Sequence, residues 1–183
     1  DCQRVPPPWS ACRAALPYAW PVDAALARLK YARDLVYAEA FGRLLVERGG
    51  PLLARADALC PVPLHPLRHA RRGFNQASEL CRPLARASGL PLVRGAVRRR
   101  HTPALKGLGR RARRQSLRDA FACRGRPGCR RPLIVDDIMT TGETCRQLAG
   151  ALLAAGAEEV FVLVVARAAA PGEELAAAHP RLH

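Results

Sequence analysis

The sequence predicts an α/β fold: a doubly wound, mostly parallel sheet with helices on both faces, preceded by a helical N-terminal segment. Three observations carry that expectation. The run Leu133-Ile134-Val135 is continuously apolar, as strands buried on both faces of a parallel sheet are. Gly142 to Ala155 then reads as a helix, and Val160 to Ala166 as a second apolar strand, which completes a strand-helix-strand unit. Further upstream, Asp57 to Val62 (DALCPV) is a short apolar run that ends in the turn-rich PVPLHP, the pattern of a buried strand feeding a loop. In such a sheet, ligands sit beyond the carboxyl ends of the strands.

Taken in order, Pro6-Pro7-Pro8 marks an extended linker, so residues 1–17 are expected to precede the domain. The domain is then expected over 18–170, with 171–183 as a tail of Ala, Pro and Glu. Between Val22 and Glu47 the apolar residues Leu26, Leu29, Leu35, Val36, Phe41, Leu44 and Leu45 recur at helical spacing. This pattern predicts two helices broken near Arg33-Asp34, with Asp34 placed to cap the second. Phe74 to Ala87 predicts another helix, which Pro83 kinks or restarts. Leu92 to Arg98 is a further strand candidate, Ala120 to Arg124 a weaker one, and Pro132 to Ile138 the clearest.

At 183 residues with 49% hydrophobic content, the chain can bury a core of its own. No apolar run approaches the roughly 20 residues of a membrane-spanning helix, so no membrane insertion is expected. The chain opens on Asp1 rather than Met, without a secretory signal, and its natural N-terminus is expected upstream. Seven cysteines (Cys2, Cys12, Cys60, Cys81, Cys123, Cys129 and Cys145) are scattered without a compact framework, which points to reduced thiols and a cytoplasmic location. No C-x-x-C pair is present, and Cys123 and Cys129 are the nearest neighbours.

The formal charge of +15 attracts phosphates, whether on nucleic acid or on small metabolites. Nearly all of it is arginine, Lys30 and Lys106 being the two lysines. A GC-rich genome would produce the same bias, so charge alone does not select a partner.

The most informative stretch is LIVDDIMTTGETC, from Leu133 to Cys145. Asp136 and Asp137 follow the apolar strand, and Thr140, Thr141, Gly142, Glu143 and Thr144 open the helix. Small hydroxyl residues and glycine let the backbone approach a phosphate closely, and the helix N-terminus favours its charge. Two adjacent carboxylates accept hydrogen bonds from hydroxyl groups, such as those of a ribose attached to that phosphate. A plain helix cap is the bland reading of Thr-Thr-Gly. The G-K-[ST] of a Walker loop is absent, as is the later aspartate of a phospho-receiver domain.

This stretch resembles the thirteen-residue motif with which type I phosphoribosyltransferases bind phosphoribosyl pyrophosphate (PRPP). The resemblance implies that Asp136 and Asp137 hold the ribose hydroxyls and that Thr140 to Thr144 hold the 5′-phosphate. Two further blocks narrow it. PVPLHPLRHARRGFNQASEL, from Pro61 to Leu80, and RRRHTPALKGLGRRARRQSLRDAF, from Arg98 to Phe121, are similar to blocks of the competence protein F (ComF) family, which includes GntX-like proteins. LPYAWPVDAALARLKYARDL is similar to that family's first helical block. The family's third block usually carries Gln after Thr-Pro and Asn before its closing Phe, where this chain has Leu105 and Ser116. Members commonly begin with a four-cysteine zinc module, of which Cys2 resembles the last ligand, so Zn²⁺ is implied only for a longer N-terminal form.

By the same resemblance, the loop carrying Arg68, Arg71, Arg72, Gly73, Asn75 and Gln76 faces pyrophosphate, and Mg²⁺ accompanies PRPP. A solvated basic turn is the alternative for the arginines, and helix capping for Asn75 and Gln76. Arg94 to Arg118 holds ten cationic residues and no carboxylate, among them Arg100, Lys106, Arg110, Arg111, Arg113 and Arg114. It is expected to be a mobile basic loop that closes over diphosphate or lies along single-stranded DNA. Two functions remain in view. One is a Mg²⁺-assisted phosphoribosyltransferase with an unassigned acceptor. The other is a non-catalytic PRPP-binding and DNA-binding protein of natural transformation that works with other competence proteins.

Overall fold

The structure is a computed structural model, which describes residues 6–93, 95–98, 120–123, 125 and 127–169. Arg100, Lys106, Arg110, Arg111, Arg113, Arg114 and Cys2 lie outside the described residues. Four strands form one parallel sheet in the order β1-β6-β5-β2: β1 (Ala11–Pro17), β2 (Ala58–Pro61), β5 (Pro132–Met139) and β6 (Phe161–Arg167). A second, antiparallel ribbon pairs β3 (Ala96–Arg98) with β4 (Phe121–Cys123).

The two central strands are apolar on both faces, as their sequence requires. From β5 and β6, Leu133, Val135, Phe161, Leu163 and Val165 point into one core, which is closed by α1 (Val22–Ala27), α2 (Val36–Leu53) and α4 (Gln76–Ser88). Ile134, Val162 and Val164 point the other way, against Leu148, Ala149 and Leu152 of α5 (Glu143–Ala154) and Phe121 of β4. The expected helices on both faces are therefore present. Each fully buried Leu, Ile, Val or Phe contributes about 1.5–3 kcal/mol, so the strands are anchored before any polar residue is placed.

The N-terminal boundary requires a correction. Residues 11–17 are no linker but the edge strand β1, in parallel register with β6 from Ala11 opposite Phe161 to Pro17 opposite Arg167. The pairing is continued at both ends, where the Ser10 N–H donates to Val160 O (2.9 Å) and the Tyr18 N–H to Arg167 O (2.8 Å). Strand formation here satisfies backbone groups against β6. It owes little to β1's own side chains, which are exposed or half-buried throughout.

The break between the first two helices falls where the pattern placed it. α1 runs into a π-helical turn, Arg28–Ala32, and Arg33 ends it in the left-handed region at φ 55°. Asp34 does not cap α2; its carboxylate pairs with Arg28 at 3.2 Å and Leu35 stands at the cap. The loop after β2 contains a short helix not foreseen, α3 (Pro66–Arg72). Pro83 lies inside α4, which continues through it.

Candidate functional site

Pro61 of β2 stands opposite Val135 of β5, and the Val62 N–H donates to Val135 O (3.0 Å). The loop after β2 and the carboxylates after Val135 therefore leave the same end of the sheet, side by side. That is the carboxyl end, where ligands of such sheets bind.

Asp136 and Asp137 lie within β5, which extends through Met139, and both are buried at 8% and 4% exposure. Each spends one oxygen on the backbone: the Asp137 N–H donates to Asp136 Oδ1 and the Ile138 N–H to Asp137 Oδ1, both at 2.9 Å. Burial, reinforced by the neighbouring charge of Asp137, holds the Asp136 carboxyl well above the usual carboxylate range. The ammonium of Lys30, in the π-helical turn, lies 2.6 Å from Asp137 Oδ2. It makes a charge contact there rather than an aligned hydrogen bond.

Beyond Met139, Thr140 and Thr141 are exposed, and Gly142 occupies the left-handed region at φ 73° as the N-cap of α5. No side chain caps this helix, so its first-turn N–H groups are left for a ligand or solvent. Glu143 is buried and accepts from Gln147 Nε2 at 2.8 Å. Thr144 follows in the first turn and is half-buried. A Cβ on Gly142 would lie 3.4 Å from Cη2 of Trp9, whose ring also lies 5.9 Å from the Arg146 guanidinium.

The loop after β2 is braced differently. Asn75 caps α4 by accepting from the Ala77 N–H (3.1 Å), and its amide donates to Val62 O (3.0 Å). Gln76 accepts from Arg72 Nη1 at 2.7 Å. Both amides are thus engaged within the loop. Arg72 also lies over the exposed Tyr31 ring at 5.8 Å, and Arg33 over Phe74 at 5.7 Å beside Gly73. Arg68 is half-buried, and burial together with the Arg72 charge lowers its guanidinium below its ordinary value. Arg71 is exposed.

The π-helical turn thus touches both loops, through Lys30 on one side and Tyr31 on the other. Sequence reasoning missed Lys30 and Trp9. A signal for Lys30 existed: one of only two lysines in an arginine-rich chain marks a position where a compact ammonium differs from a guanidinium fork.

The DNA utilization protein YhgH of Escherichia coli (strain K12) is 37% identical over 172 residues, covering 91% of this chain and 76% of that protein. Competence protein F of Haemophilus influenzae is 32% identical over 177 residues, covering 92% and 77%. The chain belongs to the competence protein F/YhgH family. Among solved structures, orotate phosphoribosyltransferase from Aeropyrum pernix is similar at a TM-score of 0.47 and 24% identity, covering 74% of this chain and 62% of that one. Glutamine PRPP amidotransferase from B. subtilis gives 0.42 and 22%, covering 69% and 25%. No family model matches. Among the described residues of this ComF-family chain, no helix is long and apolar enough to cross a membrane. The same residues hold no group of three or more His, Cys, Asp or Glu able to bind a metal.

Proposed function

We propose that this ComF-family protein binds PRPP, with Asp136 and Asp137 on the ribose hydroxyls and the backbone of Thr140 to Thr144 on the 5′-phosphate. One observation carries the reading. Two adjacent buried carboxylates, each with one oxygen already fixed by a backbone N–H, stand directly before a glycine-opened helix with no side-chain cap. A ribose phosphate presents the matching groups in that order. Arg68, Arg71 and Arg72, on the adjacent loop, are placed to supply cations for the diphosphate.

Mg²⁺, were it to accompany PRPP, would be carried by the ligand's own diphosphate. The oxygen donors of the acidic pair are of the kind Mg²⁺ takes, but an ammonium already holds Asp137 Oδ2. The residues present do not fit a protein-held ion there.

Calorimetric titration with PRPP tests the reading. Wild type should bind, and Asp136→Ala/Asp137→Ala should not; equal affinity in the two proteins would refute it. Whether PRPP is turned over is decided by pyrophosphate release against a panel of nitrogenous acceptors.

A second reading draws on the relatives' names, DNA utilization protein and competence protein F. On that reading the pocket serves sensing or order, the stretch from Arg94 to Arg118 holds single-stranded DNA, and the protein acts with competence proteins in the cytoplasm. No pyrophosphate release, with salt-dependent DNA binding lost on neutralising Arg110, Arg111, Arg113 and Arg114, selects it.

A further inference from the structure

We infer that Lys30 is the built-in counter-cation of the acidic pair, occupying the position a divalent metal would otherwise take at Asp137. Burying two adjacent carboxylates is costly unless the charge is balanced. The structure balances it internally. The Lys30 ammonium, itself largely shielded at 18% exposure, touches Asp137 Oδ2, the one carboxylate oxygen of that residue not fixed by the backbone. Asp136 retains its proton more readily than an exposed acid, because of burial and the charge beside it. With the Lys30 side chain against Asp137 Oδ2 and Asp136 less readily ionised than an exposed acid, the negative charge of the pair is largely offset, which leaves little attraction for a second cation.

The position of Lys30 is enforced on both sides. Its neighbour Leu29 is fully buried in the core. Downstream, Arg33 in its left-handed conformation stacks on Phe74, while Tyr31 meets Arg72. The π-helical turn, a geometry that recurs at functional sites, is thereby pinned across the mouth between the two loops. Lys30 stands close enough to Asp136 to favour that carboxylate's charged form as well. It is therefore a positioning residue for the pair. Its contact with Asp137 is charged but unaligned, so Oδ2 is held by charge and not by a directed hydrogen bond.

This rests on the PRPP reading only for what the pair finally holds; the cation assignment stands on the ligand-free geometry. The test is correspondingly ligand-free. Mn²⁺ is titrated into the whole protein and the unbound ion followed by electron paramagnetic resonance, for wild type, Asp137→Asn, Lys30→Met and Lys30→Met/Asp137→Asn. Wild type and Asp137→Asn are expected to bind Mn²⁺ equally weakly. Lys30→Met, checked for folding by circular dichroism, should gain one site at least tenfold tighter, which the added Asp137→Asn removes. Mn²⁺ bound by wild type and lost in Asp137→Asn overturns the inference, as does a folded Lys30→Met protein with no gain. Should Lys30→Met fail to fold, the wild-type and Asp137→Asn pair still decides. Titration of ribose 5-phosphate into wild type, run separately with EDTA, reports on the ribose reading, so the two failures are distinguishable.

Discussion

The two loops at the carboxyl end of the sheet are built on opposite plans. The loop after β5 places its groups by burial: Asp136, Asp137 and Glu143 are all less than a tenth exposed, and the strand beneath them is apolar on both faces. The loop after β2 places its groups by exchange among surface polar residues, with Asn75 on Val62, Arg72 on Gln76 and Arg33 over Phe74. The first plan gives fixed acceptors at the cost of burying charge. The second gives cations whose present partners can be traded for those of a ligand. On the proposed PRPP reading, a rigid grip on the sugar and a loose one on the diphosphate would draw on both.

The contrast can be broken experimentally, and the largest effect belongs to the buried acids. Replacing both Asp136 and Asp137 by Ala removes both acceptors for the ribose hydroxyls, worth about 0.5–1.5 kcal/mol for a neutral acceptor and about 1.5–3 kcal/mol for a charged one, so PRPP affinity should fall at least about 30-fold by calorimetry. Gly142→Ala comes next. It forces a side chain into the left-handed region beside Trp9, and should lower stability by about 1–2 kcal/mol in urea unfolding. Loss of phosphate affinity without loss of stability would mean the loop is not strained by a Cβ.

Asn75→Ala removes the α4 cap together with the tie to Val62. About 1 kcal/mol is expected, and an unchanged urea midpoint would mean the loop is held by the arginines instead. Arg72→Ala should be smallest in stability, within about 0.5 kcal/mol, yet should weaken PRPP binding in a salt-dependent way. A large stability loss would erase the distinction between the loops.

Asp136 sharpens the comparison through pH. Its carboxyl is raised in the fold, so the folded state binds more protons than the unfolded chain, and stability is lost as pH rises from the ordinary carboxylate range through the raised value. Asp136→Asn should therefore unfold at a higher temperature than wild type at neutral pH and lose that advantage near pH 4. Equal pH profiles for the two proteins would show that Lys30 fully compensates the burial.

How legible each part was follows from what its residues had to do locally. The β5 strand, the break at Arg33-Asp34 and the helix from Glu143 were readable because apolar periodicity and turn residues act over a few positions. α3 was missed because PLRHARR carries no apolar stripe: none of its residues is buried. β1 was missed because its ACRAALP run, behind three prolines, satisfies backbone groups on β6, some 150 residues away in sequence. Asp34 was misassigned because a guanidinium six residues earlier claimed its carboxylate.

Within the candidate site, the identity and order of the acidic pair, the small hydroxyl loop and the arginine-rich turn are written in the sequence, since the members of each group occupy neighbouring positions. Three things were decided only in three dimensions. The register of β2 on β5 set the two loops side by side, the Pro6–Ser10 segment laid Trp9 against Gly142, and the π-helical turn carried Lys30 onto Asp137. All three join residues more than 60 positions apart, and the free energy that pairs them comes from burial and charge neutralisation, which no local pattern encodes.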